Sequence, residues 1–116
     1  MGKAEKKYKV YIASPYTIGD KEENVKRQIV CASLLIHTGF VPYAPLLSAY
    51  IDKFIPIPYD YWLELDFEWI KVCDAVLRLD GESKGADLEV HFATKNKVPV
   101  FYHIIELQHY FSKKRI

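Results

Sequence analysis

Residues 74–93 read Asp-Ala-Val-Leu-Arg-Leu-Asp-Gly-Glu-Ser-Lys-Gly-Ala-Asp-Leu-Glu-Val-His-Phe-Ala. Ala75–Leu79 is a short apolar run of strand length. Asp80, Gly81 and Ser83 follow with turn chemistry, and from about Gly85 to Asn96 the apolar residues recur at helical spacing. A strand that breaks at a small-residue turn and enters a helix is the repeating unit of an α/β protein. Such a turn is also where these folds bind ligands, because the first amides of the helix have no partner within it.

The chain on either side continues the alternation. Tyr8–Ala13 is rich in β-branched and aromatic residues and reads as the first strand. The loop Ser14–Asp20 leads to a helix that Asp20 can cap, with Glu22 and Glu23 in its first turn. That helix runs to about Thr38, with Val25, Ile29, Ala32 and Ile36 as its apolar face and Gly39 closing it. Phe40–Tyr43 is a second short strand, bounded by Pro42 and Pro45. Leu46–Ile51 forms one helical turn or two, and Pro56 and Pro58 make residues 52–58 irregular. A helix spans about Asp60–Val72, a last strand Val98–Tyr102, and a terminal helix Ile104–Ser112 with a basic end at Lys113, Lys114 and Arg115. The charged residues 1–7 are expected to fray. The order predicts one Rossmann-like or flavodoxin-like α/β domain over residues 1–116, a mostly parallel sheet with helices on both faces.

Of 116 residues, half are hydrophobic and 15% aromatic, and the formal net charge is +1. That is enough apolar material for one core and a subunit interface. The near-neutral, evenly mixed charge argues against a nucleic-acid polymer as partner. Cys31 and Cys73 lie in apolar runs without paired spacing and read as free thiols of a reducing compartment. No apolar run reaches spanning length and no signal-type segment follows the start, so a cytoplasmic location without membrane contact is expected. His37, His91, His103 and His109 have no metal-ligand spacing, and no Walker or dinucleotide glycine pattern occurs, so neither metal nor cofactor is expected.

Helical geometry isolates two acids. At about 100° per residue, Asp66 falls in the middle of a face made by Trp62, Leu63, Trp69, Ile70 and Cys73, while Glu64, Glu68 and Lys71 lie opposite. On the next helix Glu89 shares its face with Gly85, Ala86, Phe92 and Ala93, while Asp87, His91 and Thr94 lie opposite. A buried carboxylate costs several kcal/mol, to order of magnitude, unless paired or protonated. Two such acids beside a Gly/Ser turn point to a functional site. The competing structural reading pairs them with Arg78, which stands in the apolar strand. Ser83 either caps its helix or offers its hydroxyl to an anion, and Gly81 serves turn geometry. The aromatic group Tyr50, Phe54, Tyr59, Tyr61 and Trp62 serves packing or stacks on a base.

Tyr11-Ile12-Ala13-Ser14-Pro15-Tyr16, Asp66 within Leu-Asp-Phe-Glu-Trp, Cys73-Asp74, and Ser83-x-Gly85-x-x-x-Glu89 together resemble the nucleoside 2-deoxyribosyltransferase-like superfamily, over roughly residues 8–102. The resemblance implies cleavage of an N-glycosidic bond, with Glu89 as the nucleophile that holds a covalent glycosyl intermediate. It implies that Tyr11 orients Glu89 and that Asp66 contacts the sugar or protonates the departing base. A Ser at position 83, where enzymes of unphosphorylated nucleosides resemble an Asp, implies a 5′-monophosphate substrate. Ser83, Gly85, Ser14, Pro15 and Tyr16 would then bind that substrate, with Lys21 or Lys84 in place of the loop arginine of the nucleotide hydrolases. Base exchange between nucleosides and a non-catalytic nucleotide sensor are the alternatives. Superfamily members are usually dimers or larger, so a homodimer is expected.

Overall fold

The computed structural model describes residues 6–114, and within them everything but the side chains of Ala49 and Tyr50. The start of the expected frayed segment (residues 1–5), Arg115 and the Tyr50 ring therefore lie outside the described residues.

The strands are β1 (Lys9–Ala13), β2 (Val41–Tyr43), β3 (Ala75–Arg78) and β4 (Val100–Phe101). The helices are α1 (Lys21–His37), α2 (Ala49–Phe54), α3 (Tyr59–Val72), α4 (Lys84–Lys95) and α5 (Ile104–Lys114), with a 3-10 turn over Pro45–Ser48 ahead of α2. All strand pairs are parallel, in the order β2-β1-β3-β4. The strand order matches the first four of the flavodoxin-like arrangement, whose ligand crevice lies outside the carboxyl ends of β1 and β3. Here that crevice is flanked by the loop after Ala13 and the turn after Arg78.

Strand alternation builds two cores. Tyr8, just ahead of β1, and its alternates Val10 and Ile12 within the strand meet Cys31 and Leu35 of α1, Leu107 and Phe111 of α5, and Ala75 and Leu77 of β3. Tyr11, Ala13 and Val76 point the other way, against Ile70 of α3 and the small residues Ala86 and Ala93 of α4. Those small side chains let α4 lie close to the sheet, which brings the carboxyl of Glu89 within reach of β1.

The helix termini follow the expected chemistry. The Asp20 carboxylate accepts from the amides of Glu22 (2.9 Å) and Glu23 (3.2 Å), and Gly39 closes α1 at φ +90°. Strand ends are shorter than expected, since β4 comprises two residues and β2 starts at Val41.

Two expectations fail. The irregular segment expected over residues 52–58 is confined to 55–58, because α2 continues through Phe54. The buried stripe of α1 is Asn24, Gln28, Cys31 and Leu35, one residue displaced from the apolar face read from the sequence. Ile29 and Ile36 are exposed, at 46% and 60%. The physical reason is hydrogen bonding. Gln28 Nε2 donates to Ile12 O (3.1 Å) and Ser14 Oγ (2.8 Å), while its Oε1 accepts from the Leu46 amide (2.9 Å). Asn24 Nδ2 donates to Tyr16 O (3.0 Å) and Ile18 O (2.9 Å). Two carboxamides one turn apart thus anchor the loop after β1, and the hydrogen bonds they make offset the cost of burying them.

Replacing Gln28 by Leu leaves the Leu46 amide and the Ile12 carbonyl without partners and is expected to cost about 2–4 kcal/mol in urea unfolding. Ile36→Ala, on the exposed side, is expected to cost no more than about 0.5 kcal/mol.

Candidate active site

Tyr11 is fully buried and donates its hydroxyl to Glu89 Oε2 at 2.7 Å, a contact within the protein interior between residues 78 apart in sequence. Glu89 is only 7% exposed, and Asp66 is half-buried on α3 beside it. The helix-face expectation holds for Glu89 and in part for Asp66, whose expected face includes Trp69, 47% exposed. Ala86, Glu89 and Ala93 are the buried residues of α4, and Ile70 is that of α3, whereas Glu64, Glu68, Lys71, Asp87, His91 and Thr94 face solvent.

Arg78 does not pair with either acid. Its guanidinium donates to Leu79 O, to Gly81 O (3.0 Å) and to Asp87 Oδ1 (3.0 Å). Its charge reaches Glu89 only through space. The two acids consequently face each other with Tyr11 as their hydrogen-bonding neighbour.

The electrostatics follow from that arrangement. Burial raises the Glu89 carboxyl well above its ordinary value, hydrogen bonding with Asp66 and its charge raise it further, and the Tyr11 hydroxyl and Arg78 only partly oppose them. Burial also raises Asp66, against hydrogen bonds from Glu89 and Tyr11 that pull it down. Tyr11 is raised as well, first by burial and then by the two acids and Tyr43. Two adjacent carboxyls in an apolar setting cannot both ionise readily. Their interaction therefore disfavours two charges on the pair, with the stronger upward push on Glu89.

The pair opens on a cavity of about 570 Å³ at the carboxyl ends of β1 and β3, a size suited to a small organic ligand. Ser14, Tyr16, Ser83, Gly85, Asp66 and Glu89 line it, and so do residues not read from the sequence, among them Gln28, Asp52 and Glu82. Tyr11 lies behind the lining, under Glu89. Pro15 is not part of the wall. It packs instead against Gly81, whose φ is +119° and where a Cβ would sit 2.8 Å from Pro15 Cγ. Gly81 therefore serves both turn geometry and the close approach of the two loops.

Ser83 is the N-cap of α4, its Oγ accepting from the Ala86 amide at 3.0 Å. The cap uses only the acceptor side, so the hydroxyl proton can still be donated into the cavity. A Cβ at Gly85 would stand 3.3 Å from the Tyr59 hydroxyl, so the glycine admits that hydroxyl to the first turn of the helix. Of the two candidate lysines, Lys84 lines the cavity, while the Lys21 ammonium lies over the Tyr16 ring, 5.5 Å from its centroid. Among the aromatic residues Tyr59 and Trp62 reach the cavity, whereas Phe54 is 78% exposed.

Residues 8–103 match the family described as "Domain of unknown function (DUF7768)". The chain belongs to this family. The DUF7768 match spans every strand and the helices from α1 through α4, and so the whole of the candidate site. Curated proteins give no match to the chain. Among solved structures, a 2-deoxyribosyltransferase from the psychrotolerant bacterium Bacillus psychrosaccharolyticus is similar, with a TM-score of 0.59 at 20% identity, covering 79% of this chain and 69% of that one. That likeness shows the nucleoside 2-deoxyribosyltransferase-like fold for this DUF7768 chain. No helix among the described residues is long and apolar enough to cross a membrane.

A carboxyl raised in the folded state binds more protons there than in the unfolded chain. Stability is therefore fully present below the ordinary value of 4.5 for Glu89 and is lost as pH rises toward its folded-state value. Glu89→Gln removes this dependence. The variant is expected to gain on the wild type progressively above about pH 4.5, by ~1.4 kcal/mol for each unit of displacement, as measured by chemical unfolding between pH 4 and pH 9.

Proposed function

We propose that this protein hydrolyses the N-glycosidic bond of a nucleoside 5′-monophosphate through a covalent glycosyl intermediate on Glu89. The observation that carries the reading is the buried Tyr11–Glu89–Asp66 group opening on the crevice. One proton on two carboxyls is the complement a double displacement needs, one acid and one nucleophile.

In the first step the shared proton passes to Asp66, and Glu89, steadied by the Tyr11 hydroxyl, becomes the nucleophile. A Glu89 oxygen bonds to the anomeric carbon as the bond from that carbon to the base nitrogen breaks, and Asp66 gives its proton to the departing base. In the second step water attacks the same carbon, the ester bond to Glu89 breaks, and a water proton goes to Asp66. Oxocarbenium character in both transition states is stabilised by the neighbouring carboxylate. The Ser83 hydroxyl, the free amides at the start of α4 and Lys84 supply donors for the 5′-phosphate, and Ser14 and Tyr16 form the facing wall.

Transfer of a deoxyribosyl group to a second base is the other reading, favoured by the structural likeness to a 2-deoxyribosyltransferase. Both readings share the first step and differ in whether water or a base takes the sugar. A homodimer in the cytoplasm also belongs to the proposal. Val30, Leu34 and Ile36 of α1 are exposed apolar side chains, a surface that a second copy would cover.

A panel of ribo- and deoxynucleoside monophosphates, incubated with and without an acceptor base and followed by chromatography of the free base, tests the proposal. Release of base without acceptor is expected, and Glu89→Ala is expected to lower turnover by roughly a thousandfold or more. Base exchange that requires acceptor selects transfer, and wild-type turnover in Glu89→Ala contradicts the mechanism.

A further inference from the structure

The cavity has two unlike walls. On the side of the loop after β1 and the start of α4 it presents hydroxyls, amides and Lys84. The opposite wall comes from the 3-10 turn, α2, the segment 55–58 and the start of α3. It is made mainly of apolar and aromatic side chains, including Leu46, Ile57, Trp62 and Leu63. A flat heteroaromatic ring fits such a surface. Asp52 is the one charged side chain that this wall contributes apart from Asp66 of the acid pair.

Asp52 is held in an unusual way. The Ile57 amide (2.8 Å) and the Trp62 indole Nε1 (3.0 Å) both donate to the same oxygen, Oδ1. Among the described residues its other oxygen, Oδ2, has no hydrogen-bond partner. The Ile57 amide and then the Trp62 indole hold this carboxyl below the usual range, so it is an anion that only accepts hydrogen bonds. The same two bonds fix the carboxylate's orientation and tie the segment 55–58 and the Trp62 ring to α2.

We infer that Asp52 selects the nucleobase and that the substrate is a nucleotide whose base carries an exocyclic amine. The inference rests on the nucleotide reading of the cavity given above. An amine edge places N–H donors against a fixed acceptor, the pairing by which acidic side chains recognise the cytosine amine in duplex DNA. A keto base places an oxygen against an anion instead and leaves the carboxylate unpaired, and sites built around one polar group discriminate strongly against the analogue that lacks its complement.

Asp52→Asn is a near-isosteric probe. Its amide oxygen can still accept from Ile57 and Trp62, so the wall stays in place, while the free corner changes from an acceptor to a donor. The experiment measures kcat/KM for cytidine against uridine 5′-monophosphate and for adenosine against inosine 5′-monophosphate, pairs that differ only by amine and keto groups. Within the pair that is turned over, the wild type is expected to favour the amine-bearing member by about tenfold or more. Asp52→Asn is expected to bring the ratio to one or below, with its melting temperature within a few degrees of wild type. Equal kcat/KM for the two members in the wild type overturns the inference, whether or not the variant folds. A preference that persists unchanged in Asp52→Asn overturns it too, because the selection then comes from another group. Both of those outcomes leave nucleotide hydrolysis standing. Absence of binding and turnover with every nucleotide removes the nucleotide reading, and this inference with it.

Discussion

The hydrogen bond from Tyr11 to Glu89, with Asp66 as the second acid, is the interaction to which the rest of the structure is fitted. A carboxyl that is 7% exposed and lies next to another acid is expensive to bury. The Tyr11 hydroxyl against Glu89 offsets part of that cost, and burial beside Asp66 favours the protonated form of Glu89. That requires Tyr11 on the inner strand β1, α4 packed tightly enough on the sheet to reach it, and α3 alongside. Ala86 and Ala93 provide the close approach of α4. On α3, Ile70 packs into the same core, while Trp69 stacks on Tyr43 with ring centroids 4.7 Å apart.

The loops that complete the crevice are held by polar anchors more than by packing. Gln28 and Asn24 grip the loop after β1 by its carbonyls and by Ser14. Arg27 and Arg78 grip the turn after β3 through the carbonyls of Asp80, Leu79 and Gly81. Pro15 against Gly81 closes the space between the two loops. With its walls fixed in this way, the cavity is preformed, which would spare the proposed binding the cost of ordering the walls.

Much of this was legible in the chain. The alternation of strands and helices led to the parallel α/β sheet, and the 100° step placed Asp66 and Glu89 on inward faces, where they are found. Those inferences succeeded because burial imposes a period on side-chain chemistry. The apolar face of α1 was misplaced for the complementary reason. Asn24 and Gln28 are polar and buried, so a rule that sorts by hydrophobicity assigns their face to solvent. The period was present all the same, since residues 24, 28, 31 and 35 are spaced as one helical stripe. Asp52 was not legible at all. In the sequence it reads as part of a Pro-rich irregular stretch, whereas it lies in the short helix α2, and its role depends on an indole ten residues further along. The part played by Arg78 was also out of reach, because a strand pattern does not say which of several nearby acceptors a guanidinium will take.

The account turns on Glu89 forming a bond to the sugar. The most direct measurement is the intact mass of the protein after reaction with a nucleoside monophosphate fluorinated at the sugar 2-position, since an electron-withdrawing group beside the anomeric carbon disfavours oxocarbenium character and slows breakdown of the intermediate. The account predicts a mass increase of one fluorinated sugar phosphate, mapped by peptide sequencing to Glu89. Stoichiometric release of base without any adduct, or an adduct on another residue, would contradict it.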